Sequence, residues 1–221
     1  MKNIKKLPLI ASLLSLLVIF TPANADVKVV TSIKPIHSLA SYLMDGVGKP
    51  DLIVDGYASP HGFALKPSHA KMLQNADLIF WVGEDLENFL EKPLKSIAKK
   101  AEKIELMEIK GLKKLEFRER NIFEGHDDHG HDEHKEHGHK EDKHDDHHEH
   151  AHGEHDPHIW LDPMNAKVIL SEMAEHLIEK DQENASKYKA NLKNAHKDLD
   201  KLTKKVKSEL NKDFKSIVFH D

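Results

Sequence analysis

Residues 78–82 are the unbroken apolar stretch Leu78-Ile79-Phe80-Trp81-Val82, which stops at Gly83. Its apolar side chains do not alternate with polar ones, and this pattern predicts a strand covered on both faces, as the strands of parallel sheets are. Shorter apolar runs at 27–31 and 51–54 predict two strands upstream, and residues 104–109 are expected to supply one downstream. The chain therefore contains the strands of a small parallel sheet.

Helical segments separate these predicted strands. Pro35 and Pro67 stand at positions that suit the first turn of a helix, and the two helices are expected to reach Gly46 and Ala76. Because strands alternate with helices, the sequence predicts an α/β fold, with a parallel sheet flanked by helices.

Two further helices are predicted after residue 157. Asp162 is a typical N-cap and Pro163 a typical first helical residue. The second helix, at 184–212, would reach about 43 Å at 1.5 Å per residue. Its apolar residues recur every three or four positions, at Tyr188, Leu192, Ala195, Leu199, Leu202, Val206 and Leu210. We interpret it as a strut that joins two lobes, and a coiled-coil seam is the alternative.

The first 25 residues have the layout of a secretory signal peptide. Three lysines precede an apolar stretch at 7–20, and Ala23-Asn24-Ala25 follows as a cleavage site. This stretch is shorter than the roughly 20 residues that a membrane-spanning helix needs. We therefore predict cleavage after Ala25, export to the periplasm and no membrane span in the mature chain.

Composition excludes several classes of function. The chain has 221 residues, a length that suits one or two domains. Its net charge is −5, without the basic surplus that a nucleic-acid partner would require. It contains no cysteine, so disulfides and thiolate metal sites are excluded, and any soft-metal site must use some of the 19 histidines.

A polar, histidine-rich segment interrupts the chain at 124–156. Between His126 and His155 it has no Leu, Ile, Val, Met or aromatic residue, so we expect a disordered loop. Imidazole is a common metal ligand, and the loop should offer many weak, interchangeable metal sites. Its histidines are His126, His129, His131, His134, His137, His139, His144, His147, His148, His150, His152 and His155.

A zinc-protease signature occurs within this loop. His148-Glu149-His150-Ala151-His152 matches H-E-x-x-H, which acts only on a helix that places both histidines on one face. The motif lies beside Gly153 in a segment without apolar anchors, so such a helix is not expected, and dense histidine produces this spacing by chance. We therefore do not expect an enzyme, and a zinc hydrolase is kept only as a rival hypothesis.

Three histidines outside the loop lie next to apolar segments. His61 sits in a Pro/Gly loop, His158 precedes an apolar run, and His220 follows one. Ligands of open α/β sheets collect beyond strand ends, so these histidines can converge there. Three imidazoles suit zinc, with a carboxylate or water as the fourth ligand. Each could instead be a hydrogen-bonded residue at the edge of the core.

Several ordered segments together resemble the ZnuA-type zinc-uptake solute-binding proteins of ABC transporters, in the metal-specific cluster A-I (cluster 9) family. They are Ser59-Pro60-His61, Leu65-Lys66-Pro67-Ser68, Leu73-Gln74-Asn75-Ala76-Asp77-Leu78, Trp81-Val82-Gly83, His158-Ile159-Trp160-Leu161-Asp162-Pro163 and Val218-Phe219-His220-Asp221. Some zinc-binding members have a glutamate where this chain has Pro60.

The resemblance implies two α/β lobes, a long linking helix and a metal bound between the lobes. It assigns the ligand role to His61, His158 and His220, with Zn²⁺ delivered to an inner-membrane ABC permease by a monomeric receptor. It divides the chain into an N-terminal lobe at 26–182, a linking helix at 183–212 and the start of a second lobe at 213–221. The rest of that lobe is expected to be missing through C-terminal truncation.

Two alternatives remain open at this point. A manganese or iron receptor of the same family would use more carboxylate ligands, whereas the histidines favour zinc. A periplasmic zinc buffer or metallochaperone would act through the histidine-rich loop alone.

Overall fold

The computed structural model describes residues 26–116 and 155–210. The predicted signal peptide, the tract histidines from His126 to His152, His220 and the predicted segment 213–221 lie outside the described residues.

The sheet has four parallel strands, β1 Val29–Ile33, β2 Asp51–Val54, β3 Leu78–Trp81 and β4 Glu102–Glu105, in the order β2-β1-β3-β4. This confirms the predicted parallel sheet. The expected strand at 104–109 is wrong in its limits, because pairing with β3 ends at Glu105 and residues 106–108 form a 3₁₀ turn. The apolar residues Leu106 and Met107, which suggested a longer strand, are buried in this turn.

Five α-helices surround the sheet: α1 Lys34–Leu43, α2 Pro67–Asn75, α3 Glu84–Ser96, α4 Pro163–Lys180 and α5 Ala185–Glu209. Asp162 caps α4 as predicted, since its side chain accepts the N–H of Met164 at 2.7 Å. Helix α1 ends before the expected Gly46. There Gly46, with a φ of 72°, lies in the turn that leads to β2.

The order of the strands determines which face each helix covers. In the sheet, β2 lies next to β1 on one edge and β3 lies next to β1 on the other. Right-handed crossovers therefore place α1 on one face and α2 and α3 on the opposite face. Helix α4 packs on the α1 face, and α5 packs across α4 and α1.

The two halves of α5 differ in burial. Tyr188 and Ala195 are buried, and the Asn191 amide donates to two backbone carbonyls at the end of α1. The later members of the predicted apolar stripe, Leu202, Val206 and Leu210, are exposed. Only the first half of the stripe thus packs on the described lobe. None of the helices at 26–116 and 155–210 combines the length and the apolarity that crossing a bilayer requires.

Candidate metal centre

An open cavity of about 260 Å³ lies at the carboxyl end of the sheet. It sits where the strand order reverses between β1 and β3, which is the usual ligand position in open α/β sheets. Its walls include Ile33 and Val54 at the ends of β1 and β2, and His61, His158 and Trp160 from the later loops. Two of the three predicted ligand histidines therefore meet at one cavity.

His61 lies on a 3₁₀ turn, Pro60–Gly62, that follows β2. The Ser59 hydroxyl accepts the His61 backbone N–H at 3.3 Å and so caps this turn. Just beyond it, the Phe63 ring lies 5.2 Å from that of Phe89 and 5.4 Å from that of His69. These aromatic contacts hold the loop that carries His61 against α3.

His69 anchors the same loop at the start of α2. Its Nδ1 accepts the backbone N–H of Lys66 at 3.1 Å, and burial lowers the pKa of its imidazole. A neutral ring is required for this contact, since Nδ1 accepts only when it carries no proton. His69 therefore supports the loop and is not one of the imidazoles that line the cavity.

Asp156 orients His158 from two residues upstream. Its Oδ1 accepts the His158 backbone N–H at 2.9 Å and lies 2.6 Å from the ring Nδ1. With its proton on Nδ1, the imidazole donates to this carboxylate, and Nε2 is then the ring nitrogen that can bind a metal, which is the usual arrangement behind a zinc-bound histidine. The Trp160 ring, 5.3 Å from that of His158, covers the imidazole from one side.

The rings of His61 and His158 lie 6.5 Å apart between centroids, at an interplanar angle of 49°. Two imidazoles that share a tetrahedral zinc at normal Zn–N lengths have centroids roughly 5–6 Å apart. A movement of about 1 Å would therefore let both rings bind one ion. His220, the third predicted ligand, lies outside the described residues.

The histidine-rich segment leaves and re-enters the lobe at one place. Glu116 and His155 form an antiparallel β-bridge, and the Asp156 N–H donates to the Leu115 carbonyl at 2.8 Å. His155, the last histidine of the tract, is thus fixed three residues before His158. The intervening residues 117–154 lie outside the described part of the chain.

A buried carboxyl lies behind the cavity. Glu87 is fully buried in the first turn of α3, next to Leu86, which lines the cavity. Its Oε2 accepts the backbone N–H groups of Val82 and Gly83 at 2.8 and 3.0 Å. Burial nevertheless raises the pKa of Glu87 to about 7, because desolvation of the charged form outweighs these hydrogen bonds.

Neither Asp156 nor Glu87 was predicted from the sequence. Asp156 could have been found from its spacing, since a carboxylate two residues before a candidate ligand can reach the ring. Glu87 could not, because α3 itself was not predicted and the burial of its first turn depends on the sheet.

Sequence comparison identifies relatives of this chain. The family model described as "ZnuA: Zinc-uptake complex component A periplasmic" matches residues 29–221. The chain belongs to this family. A ZnuA-family member from Brucella abortus (strain 2308), named high-affinity zinc uptake system protein ZnuA, is 45% identical over an alignment that covers 100% of this chain and 70% of that protein. The predicted family is thus confirmed.

Two solved structures share the fold. A Mn-bound periplasmic metal binding protein from Candidatus Liberibacter asiaticus has a TM-score of 0.57 at 22% identity, over 77% of this chain and 52% of that one. The metal-dependent lipoprotein YcdH from Bacillus subtilis has a TM-score of 0.59 at 21% identity, over 82% of this chain and 55% of that one. This chain therefore spans about half the length of either protein, and the likeness confirms the predicted fold class.

Proposed function

We propose that this chain is a periplasmic receptor that captures Zn²⁺ in its cavity and delivers it to an inner-membrane ABC permease. The observation that carries the proposal is the pair of imidazoles, His61 and His158, whose rings lie 6.5 Å apart at the carboxyl end of the sheet. The zinc-uptake names of the family model and of the Brucella relative support zinc as the cargo. Capture and release make and break no covalent bond, so we propose a receptor and not an enzyme.

Neutral donors suit a site that must release its ion. Imidazoles leave the charge of the cation only partly compensated, and Asp156 acts through the His158 ring instead of through the ion. The third ligand in this proposal is His220, assigned by the family resemblance, and the fourth is a carboxylate or water.

The lining of the cavity favours zinc over manganese or iron. Its walls, within the described residues, contain two histidines and neither aspartate nor glutamate. Manganese sites are richer in carboxylate, carbonyl and water oxygen, whereas imidazole suits zinc. This difference in donors argues against the alternative receptor.

The histidine-rich tract is proposed to collect zinc for the cavity. The bridge between Glu116 and His155 returns the tract to the lobe three residues before His158. Ions held by its weak sites would be released beside the cavity, at a high local concentration. A buffer acting through the tract alone is the alternative, and it would not depend on His61.

The test is the metal content of the protein recovered from the periplasm. Because the ends of the tract meet at the bridge, replacing residues 117–154 with a short Gly-Ser linker should leave the lobe folded. We expect about one zinc per chain in this shortened protein, and substantially less in its His61→Ala variant. The matched control is His196→Ala on α5, where the ring contacts the Lys167 carbonyl at 3.1 Å. Manganese in place of zinc, or full zinc retention by His61→Ala, would contradict the proposal.

A further inference from the structure

A second group of metal-ligating side chains lies at the opposite end of the sheet. It consists of Glu102 at the start of β4, with His176 and Glu179 one turn apart on α4. One ligand atom from each residue lies within 4.8 Å of the other two. His176 is thirteen residues beyond Pro163, or about 20 Å along α4 at 1.5 Å per residue. The group is therefore separate from the cavity of His61 and His158.

The geometry around His176 distinguishes this group from an ordinary surface ion pair. Its Nδ1 is buried and has no hydrogen-bond partner among the described residues, although Glu102 Oε1 lies 2.7 Å away. This contact is an ion pair only when the ring is protonated, and with a neutral ring both atoms can bind a cation. A cation that both atoms bind would give the buried nitrogen the partner that it lacks.

The surrounding charges favour a cation. Glu172 Oε1 lies 3.4 Å from His176 Nε2, and it adds a third carboxylate beside the ring. Lys180 Nζ lies 3.0 Å from Glu102 Oε2 and is the nearby opposing charge. This ion pair fixes the Glu102 carboxylate by one oxygen and leaves Oε1 directed toward His176. Three carboxylates against one lysine give the group a net negative charge when the imidazole is neutral.

We propose that Glu102, His176 and Glu179 form a second divalent-cation site that takes zinc or a similar transition metal. One imidazole nitrogen and two carboxylate oxygens are donors that zinc accepts, and water would complete its coordination. The site is weaker than the cavity, because Lys180 opposes the cation and Glu179 is an exposed side chain that must be ordered on binding.

The test follows the His176 ring in the full-length chain during a titration with zinc alone. With ¹³C-labelled histidine, the His176 resonance is identified by its loss in His176→Gln. We expect this resonance to shift on zinc addition, at concentrations above those that fill the cavity. Glu179→Gln should raise the zinc concentration at the midpoint at least tenfold. Glu175→Gln, which removes the same charge from an exposed position on the same helix, should leave the midpoint unchanged.

A second readout requires no variant. Crystals of the full-length chain soaked in zinc should give an anomalous peak within coordination distance of His176 and Glu102. The proposal is overturned if the resonance does not shift while the cavity fills, if Glu179→Gln and Glu175→Gln behave alike, or if the only anomalous peak lies at the cavity. An imidazolium held by Glu102 and Glu172 as a purely structural ion pair would produce the first of these results. Zinc binding at the cavity is measured separately, so a failure of the second site can be distinguished from a failure of the proposed receptor function.

Discussion

The two ends of the sheet each place a histidine beside carboxylate groups, but with different surroundings. At the carboxyl end, His158 is oriented by Asp156 and faces a second imidazole across an open cavity. At the amino end, His176 lies among glutamates, and Lys180, which pairs with one of them, would repel a bound cation. The first arrangement directs two imidazoles at one cavity, whereas in the second a cation must compete with the Lys180–Glu102 ion pair. We therefore expect tight zinc binding at the first end and weak binding at the second.

Carboxyl groups at the two ends titrate in opposite directions. Burial raises the pKa of Glu87 behind the cavity, whereas the hydrogen bond from Lys180 leads the interactions that lower the pKa of Glu102. The two pKa values differ because of the neighbouring groups. Glu87 is buried and has only backbone N–H groups as the partners described above, whereas Glu102 lies near a lysine and a histidine. Desolvation thus favours the neutral form of Glu87 behind the cavity, whereas the neighbouring lysine favours the charged form of Glu102 at the amino end.

The largest expected effect is that of His158→Ala on zinc affinity at the cavity. Loss of an oriented imidazole should weaken this binding about 100-fold, or about 2.7 kcal/mol. The matched change at the other end, His176→Ala, should alter the affinity of the cavity less than twofold. Competition with a chromophoric zinc chelator, using the chain with residues 117–154 shortened, measures both. Equal losses in the two variants would contradict the contrast between the two ends.

Glu87→Gln should change how the stability of the lobe depends on pH. The pKa of Glu87 is about 7 in the folded chain and 4.5 in the unfolded reference, so the folded state binds more protons between these values. Stability therefore falls as the pH rises from about 4.5 to 7. A pKa shift of this size lowers the free energy of unfolding by about 3 kcal/mol at high pH. We expect Glu87→Gln to recover only about 2 kcal/mol of this at pH 8, because the new amide places an N–H group without a partner in the core.

The free energy of unfolding, measured in urea at pH 5 and pH 8 with zinc removed, checks this prediction. The gain should be confined to pH 8. Glu84→Gln, which neutralises an exposed carboxyl at the start of the same helix, is the control and should change stability little at either pH. A gain of equal size at both pH values would show that the proton on Glu87 is not its cause.

Local patterns predicted the strand at 51–54 and the cap at Asp162, because both depend on neighbouring residues in the chain. Helix α3 was missed, as its sequence contains Pro93 and four acidic residues and its backbone departs from helical geometry at Glu87. The meeting of His61 with His158 depends on the order of the strands, and spacing along the chain does not reveal that order. For the same reason the His176 group escaped detection: Glu102 comes from a strand whose position was only partly predicted.

Asp156→Asn should weaken zinc binding at the cavity by about tenfold, a typical effect of losing the carboxylate behind a metal-bound histidine. Asparagine still accepts the His158 backbone N–H, so the loop should keep its shape while the ring loses its charged partner. The same chelator competition measures the effect. Asp162→Asn is the matched control, because it removes a nearby negative charge and asparagine is an equally good N-cap. If both variants weakened binding alike, overall charge and not orientation of His158 would be responsible.

The smallest expected effect is that of Lys180→Gln, and it applies only to the proposed second site. Without the ammonium group, Glu102 keeps its carboxylate, and the cluster with Glu172 and Glu179 becomes more negative. Zinc should then bind at His176 about threefold more tightly, which matches the usual energy of a partly exposed ion pair. The midpoint of the His176 resonance shift measures this change, with Lys189→Gln on an exposed part of α5 as the control. Weaker binding would mean that Lys180 serves mainly to hold Glu102 in place, because the loss of orientation would then exceed the gain in electrostatic attraction.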